Sequence, residues 1–162
     1  MQRFADGTRP VKILLVEDNP DDVRLTMEAL REGKISNQLS VVADGVEALR
    51  YLRQEHPYTE VERPDLILLD LNLPRMDGRE LLGEIRADPQ LRTMPVAIVT
   101  ASTAEQDVQV AERLQVTCYV TKPIDVDQML RIVELVQDFG IAIVSVSAQI
   151  SRTRSRCASG AR

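Results

Sequence analysis

The segment DLILLDLNLPRMDG at residues 65–78 is the most informative part of the sequence for the fold, because an apolar run of strand length ends abruptly at Asp70. A run that is apolar at nearly every position is typical of a parallel strand buried on both faces. The turn residues that follow lead to Asp77 and Glu80, which have the spacing of a capping box. The segment therefore predicts a central strand over residues 65–69, then a turn, and a helix that begins just after Asp77.

Strand-length apolar runs recur along the chain and alternate with helical patterns. Besides the central strand, four runs predict strands, at residues 11–16, 38–42, 95–99 and 118–120. Apolar residues at helical spacing follow each run, and prolines and glycines punctuate the connections. Five strands alternating with five helices predict an α/β fold, a doubly wound parallel sheet with right-handed crossovers.

Two helices carry further local signals. Thr103 and Gln106 repeat the capping spacing and predict the start of the fourth helix. In the first helix Val23, Met27 and Leu30 follow helical spacing, and we expect all three to face the core.

Length and composition indicate one globular domain. The chain has 162 residues, of which 44% are hydrophobic and 28% charged, and a domain of this size needs no metal or disulfide to fold. Its apolar runs are too short to span a membrane, and no apolar signal segment opens the sequence. The two cysteines make no disulfide framework. We therefore expect a cytoplasmic protein with no membrane partner.

The charge distribution argues against nucleic-acid binding. The net charge is −5, although the segment 152–162 contains four arginines and no acid, so the rest of the chain is more acidic still. An acidic body does not neutralise phosphates. Aromatic residues make up 3% of the chain, too few for a base-stacking platform. We expect no nucleic-acid partner.

Polar residues stand where the predicted strands end. In chain order they are Glu17 with Asp18, then Asp70, Thr100 and Lys122. Ligands of doubly wound sheets bind at this edge. Three carboxylates in one crevice repel one another, so they indicate a cation, and their hard oxygen atoms favour Mg²⁺ or Mn²⁺. With a lysine and a hydroxyl opposite, the pattern favours a carboxylate, Asp70, that accepts a phosphoryl group.

Four runs resemble the response-regulator receiver domain of bacterial two-component systems. They are ILLVEDNPDD at 13–22, LILLDLNLPRMDG at 66–78, VAIVTAS at 96–102 and YVTKPI at 119–124. They occur in the family's order and at its spacing, and the resemblance covers residues 10–139. It implies a flavodoxin-like five-stranded sheet in the order 2-1-3-4-5 with five helices.

The resemblance implies a role for each matching residue. Asp70 matches the phosphoacceptor. Glu17 and Asp18 match the acidic pair that holds Mg²⁺ (or Mn²⁺), together with Asp70 and the backbone carbonyl of Asn72. Lys122 matches the lysine that contacts the phosphoryl group and the acceptor carboxylate, and its bond to the following proline is cis in the family.

Other residues match the family's switch. Thr100 matches the catalytic hydroxyl that moves onto the phosphoryl oxygen, and Tyr119 matches the aromatic residue that turns inward with it. Asn72 and Ser102 lie where family members tune the lifetime of the phosphoryl group. The implied function is that of a single-domain response regulator, not an enzyme. By this resemblance, a sensor histidine kinase would transfer a phosphoryl group to Asp70, and the surface of the fourth helix, fifth strand and fifth helix would switch.

Three other functions fit parts of the pattern. An aspartyl-phosphate phosphatase on a similar sheet generally uses a second aspartate two residues after the nucleophile, where this chain has Asn72. A flavin or nucleotide binder needs a phosphate-cradling loop after the first strand, where this chain has EDNP at 17–20. A receiver-shaped scaffold without phosphorylation is the third, and the full set of strand-end residues argues against it.

The ends of the chain extend beyond the receiver-like region, as an N-terminal extension (1–9), an apolar arm (140–147) and a basic tail (148–162). The arm contains IAIVSVS, which is too apolar for a lone edge strand in water. We therefore expect a homodimer formed by arm exchange, and a disordered tail.

The DNPDD segment and the long loop at 54–64 resemble the stand-alone receivers that partner phytochrome-type histidine kinases. The resemblance therefore implies a bacteriophytochrome as the partner kinase.

Overall fold

The computed structural model describes residues 9–139, with side chains to residue 137. Strands and helices alternate throughout, as the sequence predicts. The elements are β1 (Val11–Val16), α1 (Pro20–Glu32), β2 (Asn37–Val42), α2 (Gly45–Leu52), β3 (Leu66–Leu69), α3 (Gly78–Ala87), β4 (Val96–Thr100), α4 (Glu105–Arg113), β5 (Cys118–Thr121) and α5 (Val126–Phe139).

The five strands form one parallel sheet in the order β2-β1-β3-β4-β5, which confirms the predicted order. The register sets the position of the candidate site. Val16 pairs with Leu69, so the residues that follow β1 and β3 emerge side by side. On the other side of β3, Thr100 pairs with Thr121, so β4 and β5 end together.

Helices cover both faces of the sheet, and the central strand explains why. All four residues of β3 are fully buried. Ile67 and Leu69 point into one cluster, packed by α2, α3 and α4, whereas Leu66 and Leu68 point into the opposite cluster, packed by α1 and α5. A strand alternates its side chains between the two faces, so a run that is apolar throughout needs a helical layer on each side. The doubly wound architecture is confirmed.

One local prediction that is wrong concerns the buried face of α1. Met27 is 51% exposed, because the buried face of α1 consists of Thr26, Ala29 and Leu30. The predicted burial of Leu30 is confirmed. The Thr26 hydroxyl donates to the Asp22 carbonyl at 3.0 Å, so this polar residue is satisfied inside its own helix.

The start of α4 also differs from the prediction. Its N-cap is Ala104, which offers no side-chain cap, and Thr103 is exposed. The Ser102 hydroxyl instead donates to Asp107 at 2.6 Å and accepts from the Ala104 amide at 3.3 Å, so these two side chains hold the helix start. By contrast, the capping box of Asp77 and Glu80 at α3 is confirmed.

Arg86, near the end of α3, ties three segments together through their backbones. Its guanidinium donates to four main-chain carbonyls, those of Leu114 (2.6 Å), Met94 (2.8 Å), Arg92 (3.0 Å) and Gln115 (3.2 Å). Burial lowers the pKa of Arg86 to about 10. The side chain thus fixes the end of α3 against the loops before β4 and β5.

The apolar arm and the basic tail lie outside the described residues, as does the N-terminal extension through residue 8. No helix between residues 9 and 139 is both long and apolar enough to cross a membrane.

Candidate functional site

Three carboxylates meet at the carboxyl ends of β1 and β3. Glu17, Asp18 and Asp70 each place an oxygen within 4.8 Å of the others. The sheet ladder holds two of them, since the Glu17 amide donates to Val42 at 2.9 Å and the Asp70 amide to Val16 at 3.1 Å. Glu17 and Asp70 are each 5% exposed, and Asp18 faces solvent. The structure therefore brings these three predicted residues together.

Lys122, the residue that follows β5, lies beside the three carboxylates. Its amide donates to the Thr100 carbonyl at 2.8 Å, which places the residue beside the end of β4. Its ammonium lies 2.8 Å from a Glu17 oxygen and 2.9 Å from an Asp70 oxygen. The bond from Lys122 to Pro123 is cis, as the resemblance implies.

Lys122 also binds a carboxylate that the sequence analysis missed. Asp22, in the first turn of α1, places an oxygen 2.8 Å from the ammonium. Asp21 points elsewhere, with its side chain 75% exposed and 3.5 Å from Arg24. Because α1 follows β1 directly, its first turn lies beside the site, so the sequence indicates that one of its two aspartates contacts the site. The sequence alone does not say which of the two aspartates turns inward.

For both Glu17 and Lys122, burial and hydrogen bonds shift the pKa in opposite directions. Burial raises the pKa of Glu17, although the hydrogen bonds from Lys122 and from the Asn19 amide partly oppose that shift. Burial also works against the charge of Lys122. The hydrogen bonds to Asp22, Glu17 and Asp70 outweigh it and raise the pKa of Lys122 above its usual range. The ammonium is therefore held as a fixed cation beside Asp70.

The donor set suits a divalent cation. Two buried carboxylates and one exposed carboxylate present hard oxygens to one point, which fits Mg²⁺ or Mn²⁺ and leaves an open side for water or substrate. Asn72 lies next to this point, and its main-chain N–H donates to an Asp70 side-chain oxygen at 3.2 Å. The Asn72 carbonyl stays a predicted ligand.

The predicted switch residues lie together at the end of β4. Thr100 is fully buried, and its hydroxyl oxygen accepts from the Ser102 amide at 3.4 Å. Tyr119 is 1% exposed, and its hydroxyl donates to the Ser102 carbonyl at 2.9 Å. The main chain of Ser102 therefore contacts both side chains, and Tyr119 lies in the inward position.

A second ion pair, missed by the sequence analysis, borders this group. Arg79 of α3 donates to both oxygens of Asp107, at 2.6 and 2.8 Å, and the Ser102 hydroxyl donates to the same carboxylate. The hydrogen bond from Arg79 lowers the pKa of Asp107, and in turn raises that of Arg79. The pair joins α3 and α4 beside Ser102.

The chain is similar to known proteins in both sequence and structure. A family model described as the response regulator receiver domain matches residues 13–134. The chain is similar to "Response regulator Rcp1" of Synechocystis sp., with 41% identity over 146 residues, covering 90% of this chain and 99% of that protein.

Solved structures agree with this similarity. The phosphorylated cyanobacterial phytochrome response regulator RcpA has 44% identity and a TM-score of 0.69, covering 85% of this chain and 99% of that chain. The Mn²⁺-bound form of Rcp1 has 41% identity, a TM-score of 0.69 and the same coverage. The bacteriophytochrome response regulator RtBRR has 37% identity and a TM-score of 0.72, covering 91% of this chain and 90% of that chain.

Proposed function

This chain belongs to the family of response regulator receiver domains, and on that premise we propose that Asp70 is its phosphoacceptor in two-component signalling. The contact between the Lys122 ammonium and an Asp70 oxygen, 2.9 Å apart beside the acidic cluster, carries the proposal. A carboxylate buried against a lysine ammonium is held in one orientation, as an attacking nucleophile must be.

The proposed reaction is an in-line transfer from a phosphohistidine. An Asp70 oxygen forms the new O–P bond while the N–P bond of the donor breaks and its electron pair returns to the imidazole. Lys122 offsets the charge on the phosphoryl oxygens. Glu17, Asp18, Asp70 and the Asn72 carbonyl would hold Mg²⁺ or Mn²⁺, which supplies further charge neutralisation when bound. The existence of a Mn²⁺-bound form of Rcp1 supports this choice of metal.

The chain thereby assists its own phosphorylation, and also its dephosphorylation. Asn72 and Ser102 tune the lifetime of the phosphoryl group in this proposal, which rests on their positions in the receiver motif. An aspartyl-phosphate phosphatase has weaker support, because the amide of Asn72 stands where that chemistry uses a carboxylic acid.

Phosphorylation then switches a protein-interaction surface. Thr100 moves onto the phosphoryl oxygen and Tyr119 is held inward, which biases a two-state equilibrium of α4, β5 and α5. The hydrogen bond from Tyr119 to the Ser102 carbonyl supports this coupling, since the same residue's amide contacts Thr100.

The proposed partner is a sensor histidine kinase of the phytochrome type in the cytoplasm. Similarity to the phytochrome response regulators RcpA and RtBRR supports this choice.

We also propose a homodimer in which residues 141–147 of one copy exchange with those of the other, on the strength of the apolar sequence there. Deleting residues 141–162 should shift the mass measured by light scattering toward that of a monomer. A mass that stays dimeric would place the interface elsewhere.

Phosphotransfer from a labelled kinase tests the proposed function. A phytochrome-type histidine kinase, labelled on its histidine, is mixed with wild type, Asp70→Asn or Asp21→Asn in the presence of Mg²⁺. Label should pass to wild type and to Asp21→Asn, an exposed control, but not to Asp70→Asn. Transfer to Asp70→Asn at an unchanged rate would refute the assignment of the acceptor.

A further inference from the structure

We propose that Asp22 is a positioning residue that anchors the Lys122 ammonium so that it faces the phosphoryl group on Asp70. The inference rests on the proposed function, since it concerns the same transfer. It assigns a role in phosphorylation to a residue of α1 that lies outside the carboxylate cluster.

The geometry of the ammonium is the first argument. A lysine ammonium has three donors on a flexible four-carbon stem. Here three carboxylates, those of Glu17, Asp22 and Asp70, lie 2.8 to 2.9 Å from Lys122 Nζ. The Lys122 side chain is 16% exposed, so water has little access to replace a lost partner. Each carboxylate therefore restricts the direction of the other donors.

The three carboxylates differ in what else they do, which is the second argument. Glu17 and Asp70 belong to the acidic cluster, and Asp70 also receives the phosphoryl group in the proposed reaction. Asp22 is outside that cluster, so its contact with Lys122 serves only the ammonium. It can hold one donor throughout the transfer while the other donors turn toward Asp70.

The rigidity of Asp22 is the third argument. The residue lies in the first turn of α1, where the helix dipole favours a carboxylate. Its carbonyl accepts the Thr26 hydroxyl, and Thr26 is buried. An anchor on a packed helix positions a flexible side chain better than one on a loop.

The expected loss is in the maximal rate, not in the apparent affinity for the donor. Without Asp22 the ammonium samples orientations that do not face the phosphoryl group, and misplacement of a positioning group slows transfer by about tenfold. Removing an anion does not weaken attraction to an anionic donor. The donor concentration at half the maximal rate should therefore not rise.

The test measures phosphorylation by acetyl phosphate with Mg²⁺ across a range of donor concentrations. Asp22→Asn should lower the maximal rate about tenfold. Asp21→Asn removes the same charge from the same helical turn but from an exposed side chain, and should stay within about twofold of wild type. Asp22→Glu keeps the charge within reach of the ammonium and should recover part of the rate. Equal rates for Asp22→Asn and Asp21→Asn would overturn the proposal.

A double-variant comparison separates positioning from a structural effect. If Asp22 acts through Lys122, then Asp22→Asn should have no further effect in a Lys122→Ala background. The same fold-loss in both backgrounds would overturn the proposal. In metal-free protein, the ammonium protons of Lys122 seen by NMR should exchange with water faster in Asp22→Asn, whereas unchanged exchange would count against the anchor.

The outcomes also distinguish this inference from the proposed function. If wild type takes no phosphoryl group, or if Asp70→Asn still does, the proposed function fails. If wild type and Asp21→Asn are phosphorylated as expected and Asp22→Asn reaches the same maximal rate, the inference about Asp22 fails and the proposed function stands.

Discussion

Replacing Asp107 by asparagine should destabilise the fold, because this buried carboxylate joins α4 to Arg79 of α3. The carboxylate is 5% exposed and accepts two hydrogen bonds from Arg79, at 2.6 and 2.8 Å, and one from Ser102, at 2.6 Å. Asn keeps the shape and one acceptor oxygen but loses the charge. Because the guanidinium donates to both oxygens, either orientation of the Asn side chain also turns its NH2 group toward a guanidinium N–H.

Breaking a fully buried ion pair from one side costs about 3–5 kcal/mol. Here the Arg79 side chain is 34% exposed, so water can rehydrate the guanidinium once its partner is gone. We therefore expect Asp107→Asn to lower the free energy of unfolding by about 2–3 kcal/mol.

Urea unfolding followed by circular dichroism measures this change. Glu105→Gln is the matched control, because it removes one charge from the same first turn of α4 but from an exposed side chain. The control should change stability by less than about 1 kcal/mol, the scale of the helix-dipole effect. If the two variants lose equal stability, the Arg79–Asp107 pair does not hold α3 to α4 and the reasoning is refuted.

Three further outcomes follow from the described contacts. Gly78→Ala would press a Cβ against the Asp70 carbonyl oxygen, so it should cost about 1–3 kcal/mol and slow phosphorylation. At Gly83 the added Cβ has no atom within 4 Å, so Gly83→Ala should raise the free energy of unfolding in urea by about 0.5–1 kcal/mol. Equal changes in stability for the two glycine variants would contradict this reasoning. Arg86→Met leaves four carbonyls without their donor and should cost about 3 kcal/mol, and an unchanged urea midpoint would refute it. Because the folded-state pKa of Asp107 is lowered, its stabilisation is present at neutral pH and lost as pH falls below about 4. The stability gap between wild type and Asp107→Asn should therefore narrow on acidification, and a constant gap would contradict the pKa direction.

The sheet was predictable because its strands carry a strong and redundant signal. The run of β3 is apolar at every position, and its burial on both faces requires two helical layers whatever the details of the loops. The strand ends then follow from the pattern, so the sequence alone places Glu17 and Asp70 at one edge of the sheet.

Contacts between side chains on different helices were not predictable in this way. Asp21 and Asp22 are identical in type and adjacent in sequence, and only the packing of α1 turns one toward Lys122. The pair of Arg79 and Asp107 spans two helices, and no spacing rule connects them. These interactions depend on how rigid elements are placed relative to one another.

The error at α4 has a related cause. A capping box is a local rule, and Thr103 and Gln106 satisfy its spacing. Ser102 and Asp107 hold the helix start instead, since Ser102 is also fixed by Tyr119 from β5. A tertiary contact therefore overrode a local signal beside the proposed switch.

The most direct test of the central claim is the intact mass of the protein after incubation with acetyl phosphate, with and without Mg²⁺. We expect wild type to gain one phosphoryl group only when Mg²⁺ is present, and Asp70→Asn to gain none. A folded wild type that gains no mass, or an Asp70→Asn variant that gains the same mass as wild type, would contradict the assignment of Asp70 as the metal-assisted phosphoacceptor.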